Sequence, residues 1–237
     1  MRGLGTILNV ILATSGGFAG LLFGSRIKKN IQETLMMACG LSMLFLAGGG
    51  TMAKMLEINH GSLIQENTTM MMVSLAVGAV IGEIINIQGW IERFGNWLKR
   101  ITKSENDTGF INAFVSATCT VCIGAMAIVG SIEDSINGNY TVLLSKGILD
   151  FVLLAVITAS LGKGAIFASV SILIFQGLIE ILAAVIDPIL TQEALSNLSY
   201  VGNILIFAIG VNIVWDKHIR IANMLPALVI AAAWAAF

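Results

Sequence analysis

The chain has 237 residues, 57% of them hydrophobic and 11% charged, with a formal net charge of −1 and a mean hydropathy of +0.89. Soluble domains usually carry about 25% charged residues, so an ordinary soluble globule is excluded, and the near-neutral charge offers no basic field for nucleic acid. Apolar runs of about 18–22 residues recur, each long enough to cross a hydrocarbon core of about 30 Å as a helix. Backbone groups inside lipid must pair within their own segment, which helices achieve. The expected fold class is all-α: a polytopic transmembrane helical bundle of about eight spans, forming one integral membrane domain over 1–237 with the lipid bilayer as its first partner.

Segment 1 runs roughly from Leu4 to Phe23, with Asn9 as its one amide and Gly16, Gly20 and Gly24 on one face; such a face lets a neighbouring backbone approach closely in lipid. A basic loop, Arg26–Asn30, follows. Segment 2 covers roughly Gln32 to Met52, with Glu33 at the positive end of its helix dipole. Gly48, Gly49 and Gly50 near its far end read either as a break or as a frayed end. After the loop Lys54–Asn67 comes segment 3, roughly Thr68 to Trp90, with Glu83 inside it. Trp90 and Trp97 mark a membrane interface, Ile91–Ile101 is a short amphipathic surface segment, and Thr102–Thr108 is a polar linker. Segment 4, Phe110–Ile132, is uncharged and carries Ser116, Thr118, Cys119, Thr120 and Cys122; Glu133 and Asp134 end it as a solvated terminus or as part of a functional centre. Segment 5 is roughly Val142–Leu161, with Lys146 and Asp150 inside it. Gly162-Lys163-Gly164 is a tight turn. Segment 6 is roughly Ala165–Ile186, closed by Asp187-Pro188; segment 7 is roughly Leu198–Trp215; segment 8 is roughly Ile221–Phe237.

Basic residues support this count. With eight crossings, the loops on one side hold Arg26, Lys28, Lys29, Arg93, Lys99, Arg100, Lys103, Lys163, Lys217 and Arg220, ten of the 13 Lys and Arg; Arg2, Lys54 and Lys146 make up the other three. The positive-inside bias then puts both termini outside. A weak internal repeat is also visible. Sliding the chain by 160 residues sets Gly17 on Gly177 and Gln32-Glu33 on Gln192-Glu193; after a two-residue insertion Gly40, Phe45 and Gly48 meet Gly202, Phe207 and Gly210. Segments 1–3 and 6–8 would form inverted arms, 1–92 and 164–237, flanking central helices 109–162, an arrangement common in secondary transporters. Chance matching of glycine-rich apolar runs is the competing explanation.

Ionisable side chains inside a span cost about 2.5–3.5 kcal/mol each on insertion scales, and are by default functional. Glu83, Asp150 and Glu180 are the three such carboxylates, accompanied by Asn86, by Lys146 one turn before Asp150, and by Gln176 one turn before Glu180. They are the candidate substrate- or ion-binding residues, with Asn9, Ser116 and Thr118 as neutral ligands. The competing structural reading pairs them between helices, Lys146 with Asp150 and Glu180 with an amide of segment 1. Cys119-x-x-Cys122 is read as packing rather than a redox or metal motif. Both histidines, His60 and His218, lie in predicted loops, and no phosphate-binding glycine motif or Ser/His/Asp set occurs. No catalytic residue, resident metal or cofactor is therefore expected, and the protein is not expected to be an enzyme.

The run Cys122-Ile-Gly-Ala-Met-Ala-Ile-Val-Gly-Ser131 is distinctive. With Gly5-Thr6-x-x-Asn9, Gln32-Glu33-Thr34-Leu35, Gly82-Glu83, Lys146-x-x-x-Asp150, Gln176-Gly177 and Ala222-Asn223-x-Leu225-Pro226-Ala227, it makes the chain resemble, over its whole length, the bacterial integral membrane family of unknown function 554, the YdfK/YqgA-like proteins. Ser135 stands where the family has a glycine, which bears only on the tightness of the turn after segment 4. The resemblance implies a protein of the bacterial cytoplasmic (inner) membrane and little about activity. From the residues, the favoured function is a secondary transporter of a small solute or cation with buried carboxylates in its pathway. The alternatives are a non-transporting sensor or assembly partner, or a channel. The glycine faces fit a homo-oligomer or packing within one chain equally well.

Overall fold

The computed structural model describes residues 3–24, 28–59, 62–104, 107–123, 125–186 and 191–235. Arg2, Arg26, His60, Gly124 and the Asp187-Pro188 pair lie outside the described residues, as does the side chain of Gln32. The elements are α1 (Leu4–Gly24), α2 (Lys29–Met55), β1 (Leu56–Asn59), β2 (Ser62–Gln65), α3 (Thr68–Ile85), α4 (Ile87–Ile101), α5 (Phe110–Cys122), α6 (Ala125–Asn137), α7 (Thr141–Leu161), α8 (Ala168–Ile186), α9 (Gln192–Trp215) and α10 (Pro226–Trp234), with 3₁₀ turns at Lys163–Phe167 and Ile221–Met224. The fold is all-α apart from one short antiparallel hairpin, β1–β2, in the stretch expected to be loop. On that hairpin Glu57 holds the Glu66 carboxyl above its usual range, through a hydrogen bond and like charge.

Among the described residues six helices are long and apolar enough to cross a membrane, and α5 with α6 makes a seventh crossing if the bent pair is one span. Segment 8, expected as a full crossing, is instead a 3₁₀ turn joined to a short α-helix that starts at Pro226, a residue suited to the first helical turn. Segment 4 departs further. It is two helices inclined by 61°, not one. Segment 3 ends at Ile85, because Asn86 takes a left-handed conformation and its N–H closes on the Gly82 carbonyl at 2.7 Å. Asn86 is therefore a helix cap, off the face that carries Glu83, and Trp90 belongs to α4. On α4 Gly95 and Leu98 are buried while Trp90, Trp97 and Ile101 are exposed, as an amphipathic helix requires. The three glycines of α2 do not interrupt it.

Two compact units divide the chain. One holds α1, the start of α2 and α4 to α8; the other holds the rest of α2, the hairpin, α3, α9 and α10. The first helices of the two candidate arms (α1, α8) fall in one unit and the third (α3, α10) in the other, while the middle helices differ: α2 is divided between the units and α9 lies wholly in the second.

Within the first unit α1 lies along α7. A Cβ on Gly16 or Gly20 would strike the carbonyl of Phe151 or Ala155, and one on Gly24 would sit 2.8 Å from the Ala159 Cα. Ala13, Ala113, Ala117, Leu154, Ile157 and Ile172 fill the core beside this contact. Within the second unit α3 meets the end of the chain in the same manner, Gly78 against Ala227 and Gly82 against the Asn223 carbonyl. Both glycine faces are thus used inside the chain, which removes them as a warrant for a homo-oligomer.

These contacts make the glycines unequal. Gly20→Leu is expected to abolish the folded state in detergent, because the intruded atoms are backbone and cannot rotate away. Gly49→Ala meets nothing within 4 Å and should be neutral or raise stability by up to about 1 kcal/mol through helix propensity. Thermal unfolding of the two variants, with size-exclusion profiles, checks the contrast.

Candidate functional site

The first unit gathers two polar clusters on the buried face of α1, around Asn9 and around Thr6, which lie one turn apart. Hydrocarbon offers no water to a broken helix, so the last carbonyls of α5 need partners. Lys146 of α7 supplies one: its Nζ donates to the Val121 carbonyl at 2.8 Å. The same ammonium pairs with the Asp150 carboxylate one turn along α7. Lys146 and Asp150 are both buried, so each needs the other to avoid an isolated charge. Asn9 is fully buried. Neither of its side-chain polar atoms has a hydrogen-bond partner. Gly147 permits the approach of α1 to α7 here, for a Cβ there would sit 3.1 Å from the Asn9 Cα.

The second cluster lies at the start of α1. Thr6 donates to Gln176 Oε1 at 3.1 Å. Asp134, expected at a solvated helix end or in a functional centre, is fully buried. Its Oδ2 accepts the Gly5 N–H at 2.7 Å, the favourable meeting of a carboxylate with a helix N-terminus. Ser135 donates its hydroxyl to the Glu180 carbonyl at 3.0 Å and ties α6 to α8. The sequence reasoning missed Thr6 as a site residue and left Asp134 open. A carboxylate closing one apolar run while a glycine-led helix opens another is the signal that was available.

The other candidates fall elsewhere. Thr118 hydrogen-bonds Ser171 at 3.1 Å, joining α5 to α8. The Ser116 carbonyl accepts from the Thr120 hydroxyl at 2.8 Å, and its own hydroxyl stays on α5. Neither joins a cluster. Glu83 lies in the second unit, where its half-exposed carboxylate pairs with Arg220 at 3.1 Å. Beside it Asn223 Oδ1 accepts the Gln88 N–H at 2.7 Å and fastens the start of α4. Among the described residues no three His, Cys, Asp or Glu side chains converge as metal ligands.

The family model described as "Protein of unknown function (DUF554)" matches residues 4–236. The chain is 30% identical to the "Uncharacterized membrane protein YdfK" of Bacillus subtilis over 226 residues, 95% of this chain and 93% of that one. It is 27% identical to the "Uncharacterized protein YqgA" of Escherichia coli over 242 residues, 99% of this chain and 98% of that one. No solved structure matches. With the apolar helices described above, these findings make it a multi-pass membrane protein.

The two ion pairs should respond differently to truncation. Lys146→Met or Asp150→Leu alone leaves a buried charge unpaired and should lower stability by about 3–5 kcal/mol, whereas the double variant should recover most of the loss. Glu83→Gln removes an exposed pair and should change stability by less than about 1 kcal/mol. Unfolding midpoints of the four variants in one detergent test the ordering; a double variant no more stable than either single one would refute it.

Proposed function

The chain belongs to the family of proteins of unknown function DUF554, and from that premise we propose that it is a secondary transporter of a small polar solute or ion rather than an enzyme. One observation carries the proposal. The α5–α6 crossing is interrupted, the Val121 carbonyl at the end of α5 is met by Lys146, Lys146 is paired with Asp150, and both polar atoms of the buried Asn9 amide are unsatisfied. Broken helices that present carbonyls and charges at membrane depth are how transporters build sites, because irregular backbone survives in a bilayer only where protein or a cavity satisfies it. The candidate inverted repeat agrees with this in part, since the first helices of its two arms share one compact unit and the third helices share the other. Residues that carry the family resemblance (Gly5, Thr6, Asn9, Lys146, Asp150 and Gln176) meet in the two α1 clusters.

We place the protein in the bacterial cytoplasmic membrane. The basic loops would lie inside, and both termini would lie outside with Ile221–Trp234, the 3₁₀ turn and the short helix together, as an eighth crossing beyond the seven helical spans. Asn9, Lys146 and Asp150 would contact the solute directly, and Thr6 and Gln176 would line its path.

A second reading has its own support. Lys146 is already engaged by Val121 and Asp150, which is also what a purely structural tie needs, as in a sensor or assembly partner.

Flux and stability separate the two. Purified protein is first screened by thermal unfolding against amino acids, small carboxylates and inorganic ions. A ligand at about 100 times its Kd stabilises a single site by about 2.7 kcal/mol. The ligand found is then followed into proteoliposomes. Wild-type protein should move it, and the folded Lys146→Met/Asp150→Leu double variant should not. Undiminished flux in that variant would remove the site from the mechanism. A flat screen across the panel would favour the structural reading.

A further inference from the structure

Two carboxylates outside the Lys146–Asp150 pair meet beside the first turn of α1. Asp134 is fully buried; the Gly5 N–H occupies its Oδ2, and its Oδ1 has no partner. Glu180 Oε1 is also buried without a partner, and Ser135, the residue after Asp134, donates to the Glu180 carbonyl at 3.0 Å, which keeps the two residues together. Gln176, 1% exposed, is aimed into the same place: its Oε1 takes the Thr6 hydroxyl, and its Nε2 is unpartnered. Gly3 leaves room beside the Glu180 carboxylate, since an added Cβ would lie 3.3 Å from its Oε2.

Like charges in a poorly polarisable interior repel unless positive charge joins them. The α1 N-terminus contributes about half an elementary charge, short of what two carboxylates need. Lys146 is committed to Asp150 and Val121, and among the described residues no lysine or arginine pairs with Asp134 or Glu180. The free groups are oxygen acceptors plus one amide donor. That set suits a cation of the hard, oxygen-preferring class: the carboxylate oxygens bind the ion, and a water in its shell accepts from Gln176. A water alone would satisfy the hydrogen bonds but leave the charge.

We propose that Asp134 and Glu180, with Thr6 and Gln176 beside them, bind one hard cation, and that in the transporter proposed above it is the coupling ion. Only the second clause rests on that function. The site borders α1 one turn from Asn9, so an ion held here contacts the same helix as the solute cluster.

The test uses the full chain in detergent. Choline chloride is replaced by sodium, potassium, magnesium or calcium chloride at constant ionic strength and pH, and the unfolding midpoint is read. At least one cation should raise the wild-type midpoint by about 5–10 °C when it reaches about 100 times its Kd. The rise should vanish in Glu180→Gln and persist in Glu83→Gln, a carboxylate in the other unit. If Glu180→Gln does not fold, Glu180→Asp replaces it and should weaken the response about tenfold or more. Equilibrium binding of the radiolabelled cation should give one site per chain. A wild-type midpoint indifferent to all four salts, a response to pH alone, or a response unchanged in the Glu180 variants would overturn the site. Cation binding without solute flux would instead sink the transporter and leave the site standing; flux without cation binding would do the reverse.

Discussion

A helix that stops inside a bilayer leaves carbonyls with no water to receive them, and in this protein the Lys146 ammonium answers that requirement at Val121. The lysine cannot be there alone, because an unpaired buried charge is far more costly than an unpaired carbonyl. Asp150, four residues on along the same face of α7, is the consequence. Gly147 of the same helix leaves space for Asn9 of α1. The break and the ion pair thus form one chain of necessity, the charge pair present because the carbonyl and then the lysine would otherwise be unsatisfied. Asn9, fully buried, keeps both of its polar atoms without a hydrogen bond.

The geometry that lets Asn9 reach α7 is set by small residues. Gly16, Gly20 and Gly24 bring the two backbones together, and without side-chain bulk between them α1 and α7 make contact through main-chain atoms. Lipid tails are as apolar as leucine, so association here draws on close packing and polar contacts rather than on the hydrophobic effect. The same surface of α1 continues through Ala13, Asn9, Thr6 and Gly5. A helix whose lower turns are pure packing and whose upper turns are polar is therefore the common wall of both clusters, and its position is determined by its least reactive residues.

Much of this was legible from the residue order, and what was not has physical reasons. Apolar runs and glycine spacing identified the helices, the α1 face and the Lys146–Asp150 pair, because these depend on intervals within one segment. The interruption after Cys122 escaped notice: Cys122-Ile123-Gly124-Ala125 is apolar throughout, and nothing in hydropathy separates a straight crossing from a bent one. The α9 helix begins at Gln192, several residues before the apolar run, because Thr191 caps it by accepting the Ala194 N–H at 3.1 Å. The end of α3 at Asn86 likewise rests on one left-handed residue inside a continuous pattern. Local capping decided these boundaries against composition.

Glu83 and Asp134 show why a carboxylate's place along a run does not give its environment. Glu83 sits well inside an apolar stretch and looked buried, yet it lies near the end of α3, where a long side chain reaches outward and Arg220 comes to meet it. Asp134 sits at the end of its stretch, yet the first turn of α1 covers it with a backbone N–H. The difference comes from what arrives from elsewhere in the chain, a guanidinium in one case and a helix terminus in the other. A guanidinium neutralises the carboxylate completely and leaves an exposed pair of small energetic consequence. A helix terminus supplies only partial charge, so a second carboxylate at Glu180 adds negative charge that no lysine or arginine among the described residues balances. Asp134, rather than Glu83, is accordingly the residue around which an ion would have reason to bind.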